Sequence, residues 1–211
     1  IAILSAHYAQ NFKIKDPYNF CPSPLNFVCH EQISELIDND QQLIKELIGD
    51  INNADIGHRK QSRLTAGIQS SGNLFKRKEL SFNKYFLSHK KERNEFIKSF
   101  PKNIIFSSAW YVKMQSGGHL SSHIHEEGWI SGAVYLAIPK NSGASKQEGA
   151  IELSSDGDQY PRLHDEFEKK VILPKEGDVI FFPSSVFHRT IPFKSNEERI
   201  CIAFDVKPEI M

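Results

Sequence analysis

The sequence predicts a mainly β fold with flanking helices, built on a double-stranded β-helix core, the jelly roll of cupin-like proteins. Three observations carry that expectation. From Ile104 onward, short segments rich in β-branched and aromatic residues recur between Gly, Pro, Asn and Asp. Their spacing suits about eight strands closed into a roll. Upstream, apolar residues return instead at helical intervals, over 30–52 and again over 81–99. The 211 residues fit one structural domain. It divides into a loop with supporting helices, residues 1–103, and the β core, residues 104–211.

Taken in order, residues 1–29 read as irregular. Asp16-Pro17, Cys21-Pro22-Ser23-Pro24 and repeated Asn-Phe pairs suggest a loop that lays aromatic anchors on the body. In 30–52, Ile33, Leu36, Ile37, Leu43, Ile44, Leu47, Ile48 and Ile51 form an apolar stripe, and Asp38-Asn39-Asp40 marks a break between two helices. Residues 53–75 are polar and glycine-containing, a loop or an edge hairpin. The segment 81–99 reads as an amphipathic helix, with Ser81 as N-cap and Pro101 past its end. Its basic cluster, His89 to Arg93, is flanked by acids and reads as a solvated face. Strands are expected at 104–114, 129–138, 150–153, 170–173, 178–182 and 199–206. The stretches 140–149 and 154–167 are expected as surface loops, of the kind that shape the mouth of a barrel.

Composition narrows the function. Lys+Arg and Asp+Glu are 26 each, a net charge of zero, which argues against a general nucleic-acid or membrane-surface role. No apolar run approaches the ~18 residues of a membrane span. The three cysteines, Cys21, Cys29 and Cys201, share no Cys-x-x-Cys spacing, so a reducing cytoplasm is the default setting. The chain starts at Ile1 rather than Met, which reads as a fragment or a processed chain.

The chemistry concentrates in residues 117–136. His123 and His125 lie two apart, and in a strand such residues share a face. Together with the distant His188 they can grip one metal ion, and imidazole suits iron, zinc, copper and nickel. Two histidines beside an acidic turn also arise on ordinary surfaces. His188, behind Gly177-Asp178 and Phe182-Pro183-Ser184, weakens that plainer reading. Two ligand sets remain open: His123, His125 and His188, which is favoured, or His125, Glu127 and His188. His119 shares the parity but sits beside Gly117-Gly118. His7, His30, His58, His89 and His164 read as solvated or packed.

His123-x-His125, then Ser131-Gly132-x-x-Tyr135-Leu136, then Pro174-x-x-Gly177-Asp178-x-x-x-Phe182-Pro183-Ser184-x-x-x-His188, then Arg199-Ile200-x-Ile202-Ala203-Phe204-Asp205 follow one another in order. This series resembles the bacterial 2-oxoglutarate/Fe(II)-dependent oxygenases, in particular a marine-bacterial branch often fused behind tetratricopeptide repeats. The resemblance covers residues 104–207 and continues more weakly through Thr65 to Phe75. It implies a hydroxylase with Fe(II) and 2-oxoglutarate as cofactors. Its substrate would be a small molecule or a protein side chain, and such repeats would stand upstream.

The resemblance also implies that Arg199, eleven residues after His188, binds the far carboxylate of 2-oxoglutarate. A guanidinium suits that task because its planar fork pairs with a carboxylate bidentately. Arg199, Cys201, Ala203 and Asp205 share one strand face, with room beside the arginine, while Ile200, Ile202, Phe204 and Val206 form a bulky opposite face. The plainer reading pairs Arg199 with Glu197 or Glu198. Arg189 directly follows a candidate ligand and should point away. Ser131 and Tyr135 share the inner parity if the strand runs unbroken through Gly128, and they would then bond the cosubstrate or line its cavity. Trp110 and Trp129 read as core or rim. Two other classes stay open: a cupin-like metalloenzyme that does not use 2-oxoglutarate and has no need of Arg199, and a non-catalytic jelly-roll binding module.

Overall fold

A computed structural model describes residues 2–18, 20–53, 57–59, 61–71, 74, 103–143 and 145–209. The helix expected over 81–99, with its basic cluster, lies outside the described residues. The chain is mainly β, with two antiparallel sheets facing one another. The first has six strands in the order β1 (Cys29–Gln32), β7 (Asp178–Pro183), β4 (Ile130–Ala137), β9 (Arg199–Pro208), β3 (Ile104–Leu120) and β2 (Leu64–Gln69). The second has three, β6 (Lys169–Ile172), β5 (Ile151–Ser154) and β8 (Phe187–Thr190). Neighbours in space are distant in sequence, the mark of a rolled β fold.

Period-two patterning decides which residues enter the roll. On β9, Cys201 packs between the sheets, where it joins Val112, Ala133, Tyr135, Ile151, Leu153, Ile180 and Phe182. Its alternates turn outward. Ile200 and Ile202 meet Leu36, Ile44, Ile51, Tyr111 and Leu136, while Phe204 and Val206 meet Cys21, Phe27, Val179 and Phe181. The outer face is apolar because it is covered. Helix α3 (Gln42–Asn53) lays Ile44 and Ile51 fully, and Leu47 and Ile48 partly, against it. Burying each such side chain stabilises by ~1.5–3 kcal/mol.

Several elements depart from the sequence reading. Residues 1–29 are not all irregular, because α1 (Ala2–Asn11) buries Ile3, Ala6, His7 and Ala9. Within 30–52, the first residues form β1, paired antiparallel with β7 from Cys29↔Phe181 to Gln32↔Asp178. The backbone groups of an otherwise open edge decide that choice, over helical periodicity. Helix α2 (Ser34–Ile37) is a single turn, and the chain breaks where expected, with positive φ at Asn39, Asp40 and Gln41. The 53–75 segment supplies the edge strand β2, and β3 runs on to Leu120. Strand β8 stands where no strand was expected. Among the described residues, no helix is long and apolar enough to cross a membrane.

Gly132 shows how tightly the outer face closes. It lies opposite Phe181 on β7 and Phe204 on β9. A Cβ there would stand 2.6 Å from Phe204 Cζ and 2.7 Å from the Ile180 carbonyl oxygen. Gly132→Ala is therefore expected to cost ~1–3 kcal/mol in urea denaturation, the range for overpacking. Gly49→Ala, in α3 with nothing within 4 Å, should instead gain ~0.5–1 kcal/mol from helix propensity. Equal effects at the two sites would contradict this packing.

Candidate metal centre and cosubstrate pocket

Strand β3 ends at Leu120, and residues 121–129 cross from it to β4 without forming a strand. The expectation of one continuous strand face for residues 123, 125 and 127 therefore fails. Backbone pairing with the opposite sheet places the histidines instead. His123 N–H donates to the His188 carbonyl at 3.1 Å, and His188 N–H donates back at 2.9 Å. His125 N–H reaches the Ser184 carbonyl at 3.0 Å. Gly128 lets the crossing lie against the β7–β8 turn, since a Cβ would stand 2.3 Å from Ser184 Oγ. Arg63 ties the approach. Its Nη1 donates to the Ser122 carbonyl at 2.8 Å, its guanidinium grips Asp158 with both Nη atoms, and its own carbonyl accepts Ser121 N–H at 2.9 Å.

The three rings converge, with one nitrogen of each of His123, His125 and His188 within 4.8 Å of the others. Their orientation follows from what holds Nδ1. His123 Nδ1 faces the Ser121 carbonyl at 2.7 Å and His188 Nδ1 the Val186 carbonyl at 3.1 Å. A carbonyl only accepts, so both Nδ1 atoms carry the proton and both Nε2 lone pairs are free. His125 Nδ1 lies 2.6 Å from Asp205 Oδ1, a carboxylate–imidazole pair that frees Nε2 in the same way.

Burial, and then the neighbouring His125, push His123 down to about 4. Burial, then His123 and His125, hold His188 well below the ordinary imidazole value. Both rings are neutral at pH 7, the state a ligand requires. Asp205 is two-sided. Burial alone would raise its carboxyl, but hydrogen bonds from His125, Ser131 and Ser108 outweigh that and hold it below the usual range. The donor set of three imidazoles with ordered outer nitrogens fits a borderline divalent metal such as Fe(II).

The remaining candidates fall as follows. Glu127 is exposed and outside the convergent group. His119 bonds the Gly117 carbonyl. His7, His30, His58 and His164 are held by Pro161, Asp178, Tyr111 and Gln10 respectively. Ser131 is fully buried behind His125, 2.6 Å from Asp205 Oδ1 and 2.8 Å from Ser184 Oγ. Arg189 does point away, paired bidentately with Glu152 at 2.9 Å. Trp110 stands at the rim, its ring 5.5 Å from that of His125, and Trp129 packs on Phe20.

A cavity of ≈ 60 Å³ joins the histidines to Arg199, walled by Val112, Tyr135, Ile151, Phe182 and Cys201. Arg199 is 2 % exposed. Its Nε donates to the Gly149 carbonyl at 3.1 Å, and its guanidinium carbon stands 5.1 Å from the centre of the Tyr135 ring. Neither Glu197 nor Glu198 pairs with it, since they engage Lys140 and Lys113. Among the described residues no carboxylate meets this guanidinium. A buried cation without a counter-ion is costly, and an anion entering the cavity would relieve that cost.

The sequence reading missed two supports. Asp205 was placed on the Arg199 face without a role, although its parity was legible. Arg63 gave no signal, because its partners Ser122 and Asp158 are 59 and 95 residues away.

Residues 108–205 match the family model described as "Putative 2OG-Fe(II) oxygenase". Among solved structures, a Pseudomonas putida prolyl-4-hydroxylase aligns with TM-score 0.53 and 11% identity over 87% of this chain and 93% of its own. HygX from Streptomyces hygroscopicus, with nickel and 2-oxoglutarate bound, gives 0.54 and 10% over 89% and 85%. An oxidoreductase of the 2OG-Fe(II) oxygenase family from Burkholderia pseudomallei gives 0.53 and 11% over 86% of each chain. At these identities the structural likenesses speak for the fold, which is that of the double-stranded β-helix. A search of curated protein sequences found no match.

Two outcomes follow from the geometry. Asp205→Asn should weaken metal binding by ~10–100-fold, the usual effect of losing an outer partner of a ligating imidazole. His188→Ala should abolish it, and both are read by anaerobic Fe(II) titration. The metal-free fold should also be acid-sensitive. Unfolding returns His123 from about 4 to its ordinary 6.5, and His188 rises with it, so between those values the unfolded chain binds protons that the fold does not. Stability is full above pH 6.5 and falls as the pH drops, by roughly 2 kcal/mol from His123 near pH 5, with His188 acting in the same direction. Denaturation midpoints that rose on acidification would contradict this. These motifs are similar to those of the 2OG-Fe(II) oxygenases, and the match to that family model is carried by residues 108–205.

Proposed function

We propose that the protein is an Fe(II)- and 2-oxoglutarate-dependent dioxygenase, a hydroxylase, in which His123, His125 and His188 bind the metal. The observation that carries this reading is the pairing of two features in one cavity: three free Nε2 atoms and a buried guanidinium that meets no carboxylate among the described residues. A cupin-like metalloenzyme without 2-oxoglutarate would have no use for the second feature, and a passive binding module none for the first.

In this reading Arg199 holds the far carboxylate of the cosubstrate, and Tyr135, stacked under it, walls the site and keeps its phenol protonated through burial. Ser131 acts one step back by fixing Asp205, which fixes His125. The apolar walls exclude water and strengthen the guanidinium–carboxylate attraction. When bound, iron and 2-oxoglutarate supply an oxidation in which O₂ yields succinate, carbon dioxide and a hydroxylated substrate. The substrate is a small molecule or a protein side chain, two classes represented by the prolyl-4-hydroxylase and by HygX, which is also known with hygromycin B bound. The free thiols of Cys21, Cys29 and Cys201 suit a reducing, cytoplasmic setting.

Anaerobic titration of the Fe(II)-loaded protein with 2-oxoglutarate tests the proposal. A visible charge-transfer band should appear and saturate. Arg199→Ala should weaken 2-oxoglutarate by about 30-fold or more, the cost of removing one partner of a buried charge pair, while Fe(II) affinity stays. Arg199→Lys, which keeps the charge but not the fork, should fall between. No band on iron-loaded protein, or full cosubstrate affinity in both variants, would overturn the assignment.

A further inference from the structure

A second hollow, of ≈ 360 Å³, borders His123 and His125 without reaching Arg199. One wall comes from β2 and the residues ahead of it, with Arg59, Gln61 and Gln69. The other comes from the 121–129 crossing, with Glu126 and Glu127, and Trp110 lies beside His125.

The most informative of these is Gln69. It is 6 % exposed and borders both this hollow and the cosubstrate cavity. Its backbone carbonyl accepts Arg59 N–H at 2.9 Å, and its side-chain amide, which forms no hydrogen bond among the described residues, is not sealed from solvent. An open amide is free to bind what enters the space it borders. This one presents a donor and an acceptor to the hollow, as a ligand would require. Gln61 uses its oxygen for Arg63 N–H at 3.2 Å and keeps its amide hydrogens.

Charge adds a direction. Among the described residues, Arg59 forms no ion pair, nor do Glu126 and Glu127, although all three border the same space. A guanidinium on one wall and carboxylates on the other make a field that selects a molecule carrying both signs. The volume is at the low end of the ~300–1,000 Å³ range of small-molecule pockets.

We infer that this hollow is the substrate site and that it takes a small amphoteric molecule of the amino-acid class. The carboxylate faces Arg59, the ammonium faces Glu126 and Glu127, and Gln69 anchors a neutral polar group beside the metal ligands. The inference rests on the proposed reading of the metal centre. Binding in the hollow is nevertheless measurable without metal.

The test is calorimetric titration of the metal-free protein, and then of the anaerobic Fe(II)–2-oxoglutarate protein, with free L-amino acids. Each is paired with its N-acetyl and its C-amide derivative. At least one free amino acid should bind with Kd of about 1 mM or tighter, and both blocked forms at least about tenfold more weakly. Gln69→Leu, which keeps the packing, and Arg59→Met should each weaken that binding by about tenfold or more. No binding by any free amino acid, or equal binding of the blocked forms, in a protein that shows the 2-oxoglutarate band would overturn the substrate class and leave the cosubstrate reading standing. Amino-acid binding in a protein without the band would do the reverse. A Gln69→Leu variant that lost 2-oxoglutarate instead would also overturn the role given to Gln69.

Discussion

Two backbone hydrogen bonds, exchanged between His123 and His188, are the constraint on which the rest of the site depends. They join the crossing after β3 to the start of β8, and so bring two histidines from opposite sheets onto one point. Each bond contributes only about 0.5–1.5 kcal/mol net. Their importance is geometric, because they fix Cα positions from which the rings can meet. The ring orientations are then fixed separately, by a carbonyl behind His123, a carbonyl behind His188 and a carboxylate behind His125. A metal bound to such a set would add its own free energy to the closure of the two sheets.

The placement of charge gives the site its character. The only carboxylate hydrogen-bonded to the triad among the described residues, Asp205, stands behind His125 and not beside its Nε2. Three neutral ligands would leave a divalent ion with its full charge. With Arg199 at the far end of the same cavity, a dianion with carboxylates at both ends would be favoured electrostatically at each end. Serines complete the support. Ser131 and Ser108 fill the remaining acceptor sites of Asp205, which keeps it ionised although it is buried.

Much of this was legible in the sequence, for identifiable reasons. Strand β9 alternates cleanly between Arg199, Cys201 and Ala203 on one face and Ile200, Ile202 and Phe204 on the other, so both its existence and its orientation could be read. The break at Asp38-Asn39-Asp40 was visible because those residues tolerate positive φ. Helix α1 was not, since Ala2–Asn11 has apolar and small residues all round and no capping signal. Strand β1 was hidden inside a helical pattern, because Cys29-His30-Glu31-Gln32 is polar and its pairing with β7 is a tertiary fact. The histidines were found through a strand parity that the chain does not have, and it is long-range pairing that brings them together. That same pairing leaves Glu127 outside the cluster, and Ser131 behind the site, where parity alone had set both facing it.

The most direct test of the three-histidine centre compares Fe(II) affinity in two variants under anaerobic conditions. Glu127→Ala should bind iron as the unmodified protein does, because this carboxylate lies outside the convergent group. His123→Ala should lose affinity by orders of magnitude, because it removes one of three converging lone pairs. Retained affinity in His123→Ala, with loss in Glu127→Ala, would contradict the account and return the site to two histidines and a carboxylate.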